Sequence, residues 1–284
     1  MNYSFPEYDP NELAEFLALP DITPFSSAHS LLIFSYQKEI SLFFGRQVFD
    51  LLLGASTADY STARAEFHHL IQQWKKQNQP DFCSTRVRSS FLPLLHSLLS
   101  EGFYPVETLL HLFYPIPPSL VLTDELSSDI LPFTEADVEG VMKLLRENRI
   151  ITHIHLDPHL PPVLGDLALE YFVSRQVGKP GSVVGKRRGE IVGFFSLAPR
   201  QVPYPGKPSV LELLIGVLSR NVPARYKIAF DLLTVLYPRL AQNKKWLEIR
   251  IPEHLFTEAT ELLQQAPVHL ETSLVLHYLK GNRD

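Results

Sequence analysis

The chain has 284 residues, 45% of them hydrophobic and 20% charged, with a net charge of −5 at pH 7; mean hydropathy is +0.00. That is ample material for a packed core, which excludes a disordered or fibrous chain, and the acidic balance excludes the basic footprint of nonspecific nucleic-acid binding. The single cysteine, Cys83, excludes an internal disulfide or a thiolate cluster and points to a reducing compartment.

The first residues are acidic, with no basic stretch leading into an apolar run, so no signal peptide is expected. No stretch reaches the ~18–20 apolar residues of a membrane span. The expectation is a soluble cytoplasmic protein. At about 100–200 residues per domain, the length allows one large domain or two small ones. The 23 prolines cluster at Pro115–Pro118, Pro158–Pro162 and Pro199–Pro208, and such clusters mark connections. The first lies near mid-chain and sets the expected boundary, residues 1–118 and 119–284.

In chain order, Leu31–Tyr36 and Gln47–Leu53 are strand-like apolar runs. Ser61–Gln77 has Ala63, Phe67, Leu70, Ile71 and Trp74 at helical spacing. A short strand, Phe82–Val87, precedes a helix over Ser89–Ser100 that Gly102 stops. Tyr104–Tyr114 is a longer strand. The first half therefore reads β, β, α, β, α, β.

In the second half, Asp129–Phe133 is a strand, and Thr134 with Asp137 forms a capping-box variant that opens a helix. A proline-rich connection carries His153, His155, Asp157 and His159. Val163–Val177 is a helix, and Ser182–Lys186 with Glu190–Ala198 forms a hairpin turned at Arg188-Gly189. Val210–Leu218 is almost wholly apolar, which suits a central strand covered on both faces. A helix over Ala224–Ala241, an alternating strand over Lys245–Ile251, a helix over Glu253–Gln265 and one or two strands over Val268–Leu279 complete the chain.

This order resembles that of the GNAT acyltransferases, and several segments resemble the TDP-fucosamine acetyltransferase type within them. They are Leu42-Phe43-Phe44-Gly45, Leu98–Glu107, Thr152–Pro158 with the following Leu169–Val173, and Gly189–Leu197. Together they span about Leu31 to Tyr278. The resemblance implies an α/β fold: a GNAT-like mixed central sheet flanked by helices, preceded by a smaller α/β, partly GNAT-like N-terminal domain. It also implies a donor thioester, acetyl-CoA or a longer acyl-CoA or an acyl carrier protein, lying between two splayed strands. An acceptor amine would attack its carbonyl directly, with a backbone N–H acting as oxyanion hole. The matching strand places the donor on Leu214, Ile215, Gly216 and Val217. Gly216 suits a close approach of another chain.

Two features depart from the family pattern. The pyrophosphate loop, R/Q-x-x-G-x-G/A, is here Arg220-Asn221-Val222-Pro223-Ala224-Arg225. Pro223 removes an N–H from the helix N-terminus that would bind phosphate. Arg225 replaces the second small residue and puts bulk where the phosphate should approach; Arg220, Arg225 and Lys227 can instead meet a phosphate with side-chain charge, with Ala224 counted among the donor-binding residues. The resemblance also implies a proton-donating Tyr on the helix after the Lys245–Ile251 strand, and Leu263 stands in its place. Candidate replacements are Glu212, a carboxylate base acting through water; His155, with His153 and His159 beside it, in a segment that lines the acceptor side; and Tyr278 or Tyr226 as hydroxyl donors. His153-x-His155 with Asp157 has metal-ligand spacing but no further ligand, so no metal is expected. Trp74 and Trp246 suit core or interface anchors, and Lys186-Arg187-Arg188 is a charged hairpin tip.

Three functions stay open at this point. One is an N-acyltransferase acting on the primary amine of a small molecule, amino sugar or peptide. The second is a noncatalytic GNAT-fold binding or regulatory module. The third is an interaction protein that forms a homodimer through its first half. No nucleic-acid partner and no membrane span are expected in any of them.

Overall fold

The computed structural model describes residues 5, 7–116, 129–207, 209–221, 225–240, 246–263 and 267–281. The first half contains α1 (Pro10–Leu17), β1 (Ile22–Ser26), β2 (Ser30–Tyr36), α2 (Lys38–Phe44), β3 (Val48–Ser56), α3 (Tyr60–Asn78), β4 (Phe82–Arg88), α4 (Leu92–Ser100) and β5 (Tyr104–Pro115). The second contains β6 (Asp129–Pro132), α5 (Val138–Glu147), α6 (His153–Leu156), α7 (Pro162–Ser174), β7 (Ser182–Arg187), β8 (Glu190–Pro199), β9 (Val210–Leu218), α8 (Arg225–Leu240), β10 (Trp246–Pro252), α9 (Phe256–Leu263) and β11 (His269–Leu279).

Local signals account for most of these elements. In α3 the Asp59 carboxylate accepts from the Ser61 and Thr62 amides, at 2.9 and 3.1 Å, and the five expected apolar residues form its buried stripe. The Thr134–Asp137 capping box forms, with the Thr134 amide donating to Asp137 at 3.1 Å. The hairpin turn has φ of 53° at Arg188 and 83° at Gly189, the left-handed pair that a two-residue turn between twisted strands demands. Three elements were not expected. α1 begins at Pro10 behind an Asp9 cap, β1 is a short run pairing only with β2, and α2 takes up the Leu42–Phe44 segment, ended by left-handed Gly45. The histidine segment, expected as a connection, coils into α6. The final segment is a single long strand.

Among the described residues, all eleven strands join one mixed sheet, ordered β1-β2-β3-β4-β11-β5-β10-β9-β8-β7-β6. Apart from β6, the order is a palindrome in which β1, β2, β3, β4 and β5 correspond to β7, β8, β9, β10 and β11. The central pair is exchanged: β5 lies between β10 and β11, and β11 between β4 and β5. Each half thus completes its sheet with the last strand of the other. The sequence carries the same repeat. Val48, Leu51, Leu52 and Gly54 recur as Val210, Leu213, Leu214 and Gly216, and Asp50 as Glu212. Glu107-Thr108 recurs as Glu271-Thr272, and Leu110, Leu112 and Tyr114 as Leu274, Leu276 and Tyr278.

One face of the sheet carries α3 and α4 over the first half and α8 and α9 over the second. The other carries α1 over the first half and α5 with α7 over the second. α2 and α6 close the middle on that side around Phe44, Phe82 and Ile154. Leu112 shows the interlock: it belongs to the first half of the chain but is fully buried in the core under α8.

The exchange ties the two halves into one folding unit. Leu112→Ala is expected to cost about 2–5 kcal/mol, as for other buried leucines. Hydrogen-exchange protection should fall together in β3–β4 and in β9–β10. Loss confined to one half would show that the halves unfold independently.

Candidate active site in a wedge between β9 and β10

The parallel pairing of β9 with β10 runs from Val210↔Trp246 to Leu213↔Ile249 and stops there. Beyond it β9 continues to Leu218 paired only with β8. The departure coincides with a bulge: Leu213 opposes Leu197 and Ile215 opposes Ser196, leaving Leu214 unpaired. A bulge bends its strand and increases its twist, so β9 leans away from β10 and a wedge opens toward the strands' C-terminal ends. The first half repeats the design. β3 pairs with β4 only from Val48↔Phe82 to Leu51↔Thr85, with the bulge at Leu52.

The two wedges differ in what fills them. At Gly54, a Cβ would lie 2.4 Å from a methyl of Leu94 on α4, and the Tyr8 hydroxyl reaches the Gly54 carbonyl at 3.5 Å. The first wedge is packed by its own chain. Gly216 is exposed, although β9 lies well inside the sheet. The nearest atoms to a Cβ there belong to Leu213 and Phe195 of its own hairpin, at 3.2 and 3.3 Å. The second wedge is open. Leu214 and Ile215 beside it are half-buried, and Val217 is buried beneath α5 and α7.

Arg220 and Lys227, at the wide end of the open wedge, are exposed, and Arg225 at the start of α8 is half-buried. Ala224 and Pro223 lie outside the described residues, as does the side chain of Tyr226. Glu212 lies on the α5–α7 face near the wedge's apex, ion-paired with Arg250 of β10. Tyr278 faces the opposite way. Its ring packs in the α3–α4 core with Phe103 at 5.4 Å, and the Lys75 ammonium lies 4.2 Å from its centre. Strand alternation explains this, since the neighbouring His277 takes the polar face. His155 serves its own helix. Its Nδ1 accepts from the Thr152 amide at 3.1 Å and its Nε2 lies 3.4 Å from Asp166.

Sequence reasoning passed over a larger polar cluster on this face. Glu248, fully buried, is ion-paired with Arg200, and its Oε1 lies 2.5 Å from His111 Nδ1. The other ring nitrogen of His111 lies 2.6 Å from Ser273 Oγ. Burial would raise the Glu248 carboxyl, but Arg200 and His111 hold it below its ordinary value. Burial pushes His111 down against the pull of Glu248. The proline-rich segment behind Arg200 folds over the sheet. Tyr204 donates to Glu271 at 2.5 Å, and the Lys207 ammonium reaches the same carboxylate at 2.8 Å. Against the effect of burial, these contacts bring Glu271 down to about 2. The signal for this cluster was strand alternation: Glu248 and Arg250 share one face of β10 while Leu247 and Ile249 fill the core on the other.

Arg86, the repeat partner of Arg250, stands in a recess: burial lowers its pKa while much of its surface stays open to solvent. Asp50 on the adjacent strand, repeat partner of Glu212, is raised to about 6 by burial, with Arg86 opposing. Where β10 ends, an open hollow of about 580 Å³ is lined by Glu107, Thr108, Leu156, Pro252 and Glu253. A third group lies under α6. His153 Nδ1 is 2.8 Å from His277 Nε2, His277 Nδ1 is 2.6 Å from Asp157 Oδ2, and Tyr104 donates to the same oxygen at 2.8 Å.

The Glu212–Arg250 pair is mostly buried, so removing one partner is expected to cost more than removing both. Arg250→Leu should lose about 3–5 kcal/mol in urea unfolding, and Glu212→Leu in the same chain should restore most of it. Equal losses for the single and double variants would show that the pair is not the cause.

The sequence matches no protein-family model and no curated protein. Solved structures do match. They include a GCN5-related N-acetyltransferase from Sphaerobacter thermophilus, at TM-score 0.55 and 12% identity, covering 95% of this chain and 85% of that one. Another is a GCN5-related N-acetyltransferase from Kribbella flavida, at TM-score 0.55 and 8% identity, covering 94% and 92%. A tandem GNAT protein from the clavulanic acid biosynthesis pathway matches at TM-score 0.53 and 13% identity over 99% of this chain and 91% of that one. The expected mixed α/β architecture is the observed one, and the chain has the fold of the GCN5-related N-acetyltransferases, with its strand–helix pattern built twice into a single sheet.

Proposed function

We propose that the protein is an N-acyltransferase that uses the second wedge alone. The observation that carries this reading is the open β9–β10 wedge at Gly216, where an interior strand leaves one edge of its backbone accessible. Free N–H and C=O groups on that edge suit an extended pantetheine, which would bind as an added strand. A thioester carbonyl seated beyond Leu213 would receive a backbone N–H as oxyanion donor. Arg220 and Lys227 at the wide end supply side-chain charge for the donor's phosphates. The acceptor amine approaches from the polar face, through the hollow at the end of β10. Acetyl-CoA is the first donor to test, with longer acyl-CoAs and carrier-protein thioesters after it. The acceptor class is a small-molecule, amino-sugar or peptide amine. Leu263, in place of a proton-donating Tyr, favours a second reading, a noncatalytic binding module on the same fold.

A ligand that binds only the folded state raises its stability by RT ln(1+[L]/Kd). Acetyl-CoA or a longer acyl-CoA should therefore raise Tm. Arg220→Ala with Lys227→Ala alters exposed side chains only, and should weaken that binding by about tenfold or more, as loss of charge-assisted phosphate contacts does. No rise in Tm with any CoA ester or carrier-protein thioester would leave the noncatalytic reading. Unchanged affinity in the double variant would remove the two cations from the site.

A further inference from the structure

We infer that His153 is the general base for the acceptor amine, and that His277 and Asp157 form a two-step relay that fixes its tautomer and receives the charge. The inference rests on the acyl-transfer reading for the identity of the acceptor, but its geometry stands alone. Asp157 accepts on both oxygens: Oδ1 from the His159 amide at 2.8 Å, Oδ2 from the Tyr104 hydroxyl at 2.8 Å and from His277 Nδ1 at 2.6 Å. Burial would raise this carboxyl, but its donors hold it below the ordinary value, so it is ionised and can only accept. His277 therefore carries a proton on Nδ1, and in the neutral ring that the relay starts from, Nε2 is a lone pair. His153 Nδ1 lies 2.8 Å from that lone pair and must donate to it. His153 is then left with a bare lone pair on Nε2, an atom with no hydrogen-bond partner among the described residues. The proton positions of both rings follow from one carboxylate.

The surroundings explain why a second ring is needed. His153 is half-buried, and burial, Arg86 of β4 and Arg250 of β10 push its pKa well down; His277 of β11 and His155 of its own helix add to this only when they are themselves charged. It is neutral at pH 7 and ready to accept a proton, but an imidazolium beside two guanidiniums is costly. The relay moves the charge away from them. One N–H bond of the acceptor ammonium breaks; its electron pair stays on the acceptor nitrogen, which becomes the nucleophile, and the proton goes to His153 Nε2. The Nδ1 proton of His153 then passes to His277 Nε2. His153 ends neutral in its other tautomer, and His277 ends as an imidazolium against the Asp157 carboxylate. His153 lies on α6 three residues before Leu156, which lines the hollow at the end of β10, and the proposed acceptor path reaches its Nε2 from that side. His277 and Asp157 act through His153 and are positioning residues.

The test uses the full-length chain with ¹⁵N-labelled histidine. At pH 7 the long-range ¹H–¹⁵N spectrum should show protonated Nδ1 and bare Nε2 in both His153 and His277. Asp157→Asn, whose amide can donate to His277 Nδ1, should invert both tautomers. A wild-type His153 protonated on Nε2, or charged at pH 7, would overturn the relay. In parallel, thiol release from acetyl-CoA is followed with glycine, glycylglycine and glucosamine as probe amines. His153→Gln should keep the wild-type acetyl-CoA Kd, lower the rate about 10²–10⁴-fold, and make the remaining rate track the free-amine fraction as pH rises. A rate within a few-fold of wild type would overturn the base assignment. The predicted tautomers without thiol release from the wild type on any probe, while acetyl-CoA still binds, would overturn the base role together with the acyl-transfer reading and leave the hydrogen-bond relay established.

Discussion

The structure depends on the exchange of β5 and β11. Because each of these strands completes the other half's sheet, the polar centre can draw side chains from both halves. β5 brings His111 to Glu248 of β10, and β11 brings Ser273 to the far side of the same imidazole. β11 likewise brings His277 beneath α6, between His153 and Asp157. Without β5 beside it, β10 would end as an edge strand, with unpaired backbone groups that need another partner. The long β5–β11 ladder closes both edges at once and sets the register of everything beside it.

That register puts several charges where water scarcely reaches. A buried ion is tolerated only with partners that satisfy it, and a network missing one member is worse than none. Glu248 has Arg200 and His111, Glu212 has Arg250, and Glu271 has Tyr204 and Lys207. Three of these partners, Arg200, Tyr204 and Lys207, come from a proline-rich segment whose sequence suggested a connection alone. Proline makes such a segment stiff, which suits a strap that must hold its side chains over the sheet without helix or strand bonds.

Much of the fold was legible because apolar periodicity is a local property. Val210–Leu218, the Arg188-Gly189 hairpin and the α3 stripe each follow from their own residues. The repeat was legible as well, in Val48–Gly54 against Val210–Gly216 and Glu107-Thr108 against Glu271-Thr272, but it shows only when the two halves are compared. The site was less legible, because its decisive features are relations between distant residues. Nothing near Gly54 in the sequence says that Leu94 will fill its wedge, and nothing near Gly216 says that its own will stay open. Among three clustered histidines, local spacing could not separate His155, which caps α6, from His153, which meets a side chain 124 residues away. Tyr278 and His277 are adjacent in sequence and lie on opposite faces.

Duplication leaves the two halves alike in their cores and different on the polar face. Both wedges have the bulge, the acidic residue before it and the glycine after it, so the geometry for an added strand was present twice. In the first, Leu94 and Tyr8 occupy the space, and burial outweighs Arg86 in setting the Asp50 carboxyl. In the second, the space is open and Glu212 is pinned by Arg250. The repeat pairs that differ most in chemistry, Ser84 with Glu248, His111 with Val275 and Phe113 with His277, all lie on the polar face. The pairs on the core faces, Leu110 with Leu274 and Leu112 with Leu276, are unchanged. A core position answers to packing, which is the same in both halves. A position facing the recess is free of that packing constraint, and it is there that the two halves differ.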